Sequence, residues 1–152
     1  MNISELMKGD YVMFFSRKIG KRAKVDSILK YSCLLLYNEL LEADDYYSEI
    51  IVNAENIFPI KLTQEMMHKI VEQNKDNSNV RLYFHIDGGG EIFKLSKYYY
   101  IKFAPGEVPC IVDQVGYSSD GDYMDNHVMD AEFVHEFQHA IKCLKFDLNI
   151  NL

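Results

Sequence analysis

Five short apolar runs follow one another within the first sixty or so residues, each bounded by turn or polar residues. A chain punctuated that densely has room for strands and not for helices. Lys8-Gly9-Asp10 is a turn signal, and residues 11–15 after it form the first run. Residues 23–29, 32–37, 49–52 and 56–60 supply the others, while 38–47 is acidic and reads as a loop or a weak helix. Many short strands in so little chain predict a strongly bent antiparallel sheet, an SH3-like β-barrel over residues 1–60.

Pro59 closes that region, and the pattern changes period. Thr63 predicts an N-cap for a helix over 64–73, with Glu65 in its first turn and Met66, Met67, Ile70 and Val71 facing inward. His68 on that helix has Glu72 four residues on and reads as a surface histidine. A polar loop spans 74–79. Residues 80–86 and 91–95 then predict a hairpin around Gly88-Gly89-Gly90, and 98–103 and 110–115 two more strands around Pro105-Gly106. A strand, not a helix, follows the three glycines, and no Lys-Ser/Thr pair is present, so this is a turn and not a phosphate loop. Asp120 to Asp125 resembles a calcium loop, but Met124 takes a ligand position and no glutamate stands at the twelfth. It reads as a flexible acidic loop. Residues 61–152 are therefore expected to form a second, α+β domain that ends in a helix.

Asp130 predicts the N-cap of that last helix, and Phe133, Phe137, Ala140, Ile141 and Leu144 fall on one stripe at helical spacing. His135-Glu136-Phe137-Gln138-His139 within it satisfies H-E-x-x-H. Histidines four apart share one side of a helix and can hold zinc, and the glutamate can serve as general base toward a metal-bound water. At about 100° per residue both histidines lie away from the apolar stripe, facing solvent or a cleft. A catalytic zinc needs three protein ligands and a water. Lys142 and Lys145 stand where the longer metalloprotease pattern needs glycine and histidine. Cys143 is eight residues from His135, roughly 12 Å along the helix, and Asp147, His127 and Asp130 stand at no recognised offset. With five histidines and eleven glutamates, the motif arises by chance in roughly one chain in a hundred of this composition. The reading is therefore no catalytic residue and no metal, with a zinc-dependent hydrolase using His135, His139 and Glu136 as the alternative.

Charge argues against a phosphate-neutralising role. The net charge is −7, with eight basic and nine acidic residues over 1–62 but eight and fourteen over 63–152. Arg17, Lys18, Lys21, Arg22 and Lys24 crowd around Gly20, a basic turn at 17–24 that offers weak nucleic-acid binding as a further alternative. Three widely spaced cysteines, Cys33, Cys110 and Cys143, with no C-x-x-C, read as reduced thiols of a cytoplasmic protein. No apolar run approaches a membrane span, and the N-terminus lacks the basic-then-apolar order of a signal peptide.

Three segments carry a resemblance. Leu6-Met7-Lys8-Gly9-Asp10-Tyr11-Val12 is similar to a Leu-x-x-Gly-Asn-Tyr-Val opening; Ile57-Phe58-Pro59-Ile60-Lys61-Leu62-Thr63-Gln64-Glu65 is similar to Ile-x-Pro-Ile-x-Leu-Thr-x-Glu; and Val134 to His139 is similar to Val-His-x-Leu-Gln-Asn. In that order they resemble a family of small uncharacterised proteins of gut Bacteroidetes and their mobile elements. The resemblance implies glutamine and asparagine where this chain has Glu136 and His139, hence a structural helix and no zinc site. It brings no activity with it. This chain departs from the pattern after Leu144, where Lys145-Phe146 replaces Thr-Gly, and after the middle helix, where Gly-Phe is absent. The expectation is an α+β, non-catalytic binding or accessory module with a protein partner, not nucleic acid and not a membrane.

Overall fold

The computed structural model describes residues 2–16, 19–38, 47–117, 119 and 123–151. It divides into two units, Met1–Lys61 with Phe133–His135 and Leu62–Glu132 with Glu136–Leu152. The fold is α+β: among the described residues, two five-stranded antiparallel sheets and two α-helices.

The first unit contains β1 (Tyr11–Ser16), β2 (Ile19–Ile28), β3 (Ser32–Asn38), β4 (Tyr47–Asn53) and β5 (Ile57–Phe58), in the order β4-β3-β2-β1-β5. Strand alternation sends Val12, Phe14, Ala23, Val25, Cys33, Leu35 and Val52 to one face, where they form a core with Leu6 and Ile57. The Phe14 and Tyr37 rings meet edge-on with centroids 5.3 Å apart. Their strands are separated by β2 and would stand about 10 Å apart in a flat sheet. The sheet is therefore curled around its core. Closure into the expected barrel is not seen: β5 pairs with β1 alone, and no ladder joins β5 to β4 among the described residues. The run expected over 56–60 is shortened from both sides. A 3₁₀ turn at Ala54–Asn56 precedes it, and Pro59, which has no N–H to donate, ends it.

The turn before β1 is a built feature. Asp10 is fully buried and its Oδ2 accepts from the Met7 backbone N–H at 2.6 Å. Gly9, at φ 93°, donates to the Val25 carbonyl. Gly20, expected at the tip of the basic turn, lies inside β2 opposite Phe15. Arg17 and Lys18 lie outside the described residues, as does 39–46 within the acidic stretch.

The second unit runs α1 (Gln64–Gln73), β6 (Arg81–Ile86), β7 (Gly90–Lys94), β8 (Tyr99–Phe103), β9 (Cys110–Tyr117) and β10 (Tyr123–Asp130), with the strands in meander order. It ends in α2 (Val134–Leu144), of which Val134 and His135 belong with the first unit. Thr63 caps α1, its side chain accepting from Met66 N–H at 3.3 Å. The inward stripe is narrower than expected, for Met67 and Ile70 are buried while Met66 and Val71 are half-buried.

Both faces of the second sheet are apolar. One buries Ile92, Tyr100, Cys110 and Val112, flanked by Phe84, Ile86 and Val115. Phe84 on β6 comes within 6.3 Å of Tyr117 on β9, three strands away, so this face is concave. The other face buries Phe93, Ile101, Phe103 and Ile111, and His68 of α1 sits edge-on to Phe93 at 5.0 Å. Gly90 lets β7 lie close against β8, since a Cβ there would fall 2.5 Å from the Phe103 carbonyl oxygen.

Two expectations for the C-terminal part are corrected. The segment read as a flexible acidic loop contributes β10 over its described part, with 120–122 outside the described residues. Its period is hidden because the pairing with β9 shifts register twice, once opposite Gln114 at φ 51°. The last helix starts at Val134 and not after Asp130, which ends β10. The intervening backbone is committed elsewhere: Ala131 N–H to the Pro109 carbonyl, the Glu132 carbonyl to Leu62 N–H, and Val134 N–H to the Ile60 carbonyl. At its far end α2 closes with Phe146 N–H on the Ile141 carbonyl at 3.0 Å and Lys145 at φ 55°, a Schellman motif with lysine in the position glycine favours. Among the described residues no helix is long and apolar enough to cross a membrane.

Candidate functional site

The H-E-x-x-H segment lies on α2, and its first histidine is not on an open face. His135 is 3% exposed, its ring stacked on Phe133 with centroids 5.9 Å apart and planes 13° apart. Glu136 and His139 are half-buried. His135 belongs to the first unit, Glu136 and His139 to the second. Periodicity misplaced His135 because it counts apolar side chains only. The buried arc of α2 includes the polar His135 and Gln138 beside Val134, Phe137, Ala140 and Ile141.

The third-ligand candidates are otherwise placed. His127 Nε2 lies 2.8 Å from Asp130 Oδ1, the Asp147 carbonyl accepts from Asn77 Nδ2, and Cys143 is exposed. Among the described residues no group of three or more His, Cys, Asp or Glu side chains is arranged to hold a metal ion. We expect His135→Ala to destabilise the protein by roughly 1 to 3 kcal/mol, because a buried polar ring and its packing are lost. His139→Ala should cost less than about 1 kcal/mol. Urea unfolding of the two variants checks this, and equal small losses would return His135 to the solvated face.

Other titratable groups are ion-paired or buried. Glu91 bridges two histidines, with Oε2 2.8 Å from His68 Nε2 and Oε1 3.3 Å from His85 Nδ1. His68 thus pairs across to β7 and not with Glu72 along its own helix. Burial would lower the Lys102 ammonium, but its hydrogen bond and charge interaction with Asp125 at 2.8 Å outweigh this and hold it above the usual lysine range. That pair's contribution to stability is present below the ordinary lysine range and is lost as pH rises through the raised value. Burial pushes the Cys33 and Cys110 thiols up, which suits filler and not nucleophiles.

The feature that sequence reading missed is on the outer face of the first sheet. Phe15 is 53% exposed and Phe58 37%, their rings edge-on at 5.3 Å. Met13 lies between, paired with Phe58 on one side and Arg22 on the other. A Cβ at Gly20 would stand 3.1 Å from the Met13 sulfur, so glycine leaves room for this cluster. Arg22 is exposed, and Lys24 holds its ammonium 4.9 Å from the Tyr11 ring centre. The signal was available. In Tyr11-Val12-Met13-Phe14-Phe15 both alternating sets are apolar, so one of them had to face outward.

No family model, no curated protein and no solved structure matches the chain.

Proposed function

We propose that the protein is a non-catalytic binding module that acts through contacts with another protein. The observation that carries this reading is the exposed pair of rings, Phe15 and Phe58, on the outer face of the first sheet. Apolar side chains grouped on a surface mark a contact site more often than scattered ones do, and aromatic rings are the anchors interfaces favour. Arg22 and Lys24 on the same face select an apolar partner segment flanked by acidic residues. The order β4-β3-β2-β1-β5, with a 3₁₀ turn before a short last strand, supports an SH3-like arrangement for the first unit. The three free cysteines suit a cytoplasmic setting. The resemblance to the Bacteroidetes family is compatible with a structural last helix.

Affinity capture followed by reconstitution with the purified partner tests the reading. Phe15→Asp should weaken the reconstituted complex at least tenfold, while Tyr98→Asp, on the second unit, should leave it unchanged. Equal binding by both variants would overturn it. The zinc hydrolase keeps the H-E-x-x-H motif but, among the described residues, gains no third ligand, and we expect metal analysis of protein purified without chelator to find far less than one equivalent. One equivalent, lost in His139→Ala, would install that alternative. For the basic turn we expect only weak nucleic-acid binding, lost at moderate salt.

A further inference from the structure

In the second unit, three side-chain amides hold the segment after α2 as though they were a neighbouring strand. Asn77 Nδ2 donates to the Asp147 carbonyl at 3.1 Å. Asn74 makes two bonds to one residue, Nδ2 to the Asn149 carbonyl at 2.7 Å and Oδ1 from Asn149 N–H at 2.8 Å. Gln73 does the same for Asn151, accepting from its N–H at 3.0 Å and donating to its carbonyl. Asn74 is itself held, donating to the Ile70 carbonyl at 2.7 Å. Residues 147, 149 and 151 therefore turn one backbone edge toward α1 and the turn that follows it, the geometry of an extended strand. In such a strand residues 148 and 150 turn their N–H and C=O groups to the opposite edge. Among the described residues no hydrogen bond involves the backbone of Leu148 or Ile150.

Leu148 and Ile150 line a cleft of about 690 Å³, whose other wall is α2 with Gln138, Ile141, Lys142 and Lys145. Two lysines line it against the single carboxylate of Asp147. An unpaired strand edge is a template for another strand, and main-chain hydrogen bonds would supply the affinity. We propose that this cleft binds an extended acidic peptide of a partner protein, which adds as a strand to Leu148 and Ile150 while its carboxylates face Lys142 and Lys145. The site is separate from the Phe15 cluster and does not depend on it.

The probe is the peptide acetyl-(Val-Glu)₃-amide, titrated into the full chain and followed by the backbone amide signals. The Leu148 and Ile150 signals should move and their hydrogen exchange should slow, whereas Phe15 and Phe58 should not respond. A copy methylated on all its backbone nitrogens should bind at least tenfold more weakly, as should the unmodified peptide to Lys142→Glu/Lys145→Glu protein. Asn74→Ala, which releases the strand, should also lose binding, and the methylated copy makes the same test on unaltered protein. Unmoved Leu148 and Ile150 signals at millimolar peptide, or equal binding of the methylated copy, would overturn the proposal.

Discussion

Phe137→Ala is expected to lower the stability of the second unit by about 3 to 5 kcal/mol, the range for removing a large aromatic ring from a packed interior. Phe137 is fully buried, and so nearly are Ala140 and Ile141 one turn on. Both sheet faces of this unit are already filled, one by Phe93, Ile101, Phe103 and Ile111 and the other by Ile92, Tyr100 and Val112. Little can relax into the space the ring leaves, so the cavity cost adds to the lost transfer energy. Urea denaturation should show a lower midpoint with an unchanged slope, since the surface exposed on unfolding hardly alters. Phe137→Leu, which keeps most of the volume, should cost only about 1 to 1.5 kcal/mol. A loss under about 1 kcal/mol for Phe137→Ala would show that the ring contributes far less packing than its burial implies.

What the sequence disclosed follows from where local chemistry and tertiary pairing agree. Thr63 and the step from period two to period 3.6 place α1 at Gln64–Gln73, because a cap and a buried pair at Met67 and Ile70 act within one turn. The glycine hairpin was legible for the same reason, its geometry being set by Gly88, Gly89 and Gly90 themselves. Elements fixed by distant partners were not. The start of α2 depends on where Pro109, Leu62 and Ile60 find hydrogen-bond partners, and nothing near Asp130 encodes that. β10 was hidden by bulges whose shifts break its alternation. His135 carried a motif that invites a chemical reading, yet its burial is decided by packing that the helix wheel does not contain.

A comparison one residue apart bears most directly on the binding reading. Phe14→Ala is expected to destabilise the first unit by about 3 to 5 kcal/mol, and Phe15→Ala by no more than about 1 kcal/mol. The two rings leave β1 on opposite faces. Phe14 is 1% exposed and meets Tyr37 inside the curl of the sheet, whereas Phe15 is 53% exposed and touches Phe58 on the outside. The core of this unit lines a single curled sheet, so the space left by Phe14 has few side chains able to fill it. Phe15 has already paid the cost of standing in water in the folded state, so its removal takes away one edge contact and little buried area. Hydrogen exchange of β1 and β2 amides under native conditions reads both effects in the same strands. If Phe15→Ala weakens partner binding while those amides keep their protection, the loss arises at the surface and not from unfolding. Comparable loss of protection in the two variants would place Phe15 in the core and remove the observation on which the binding reading stands.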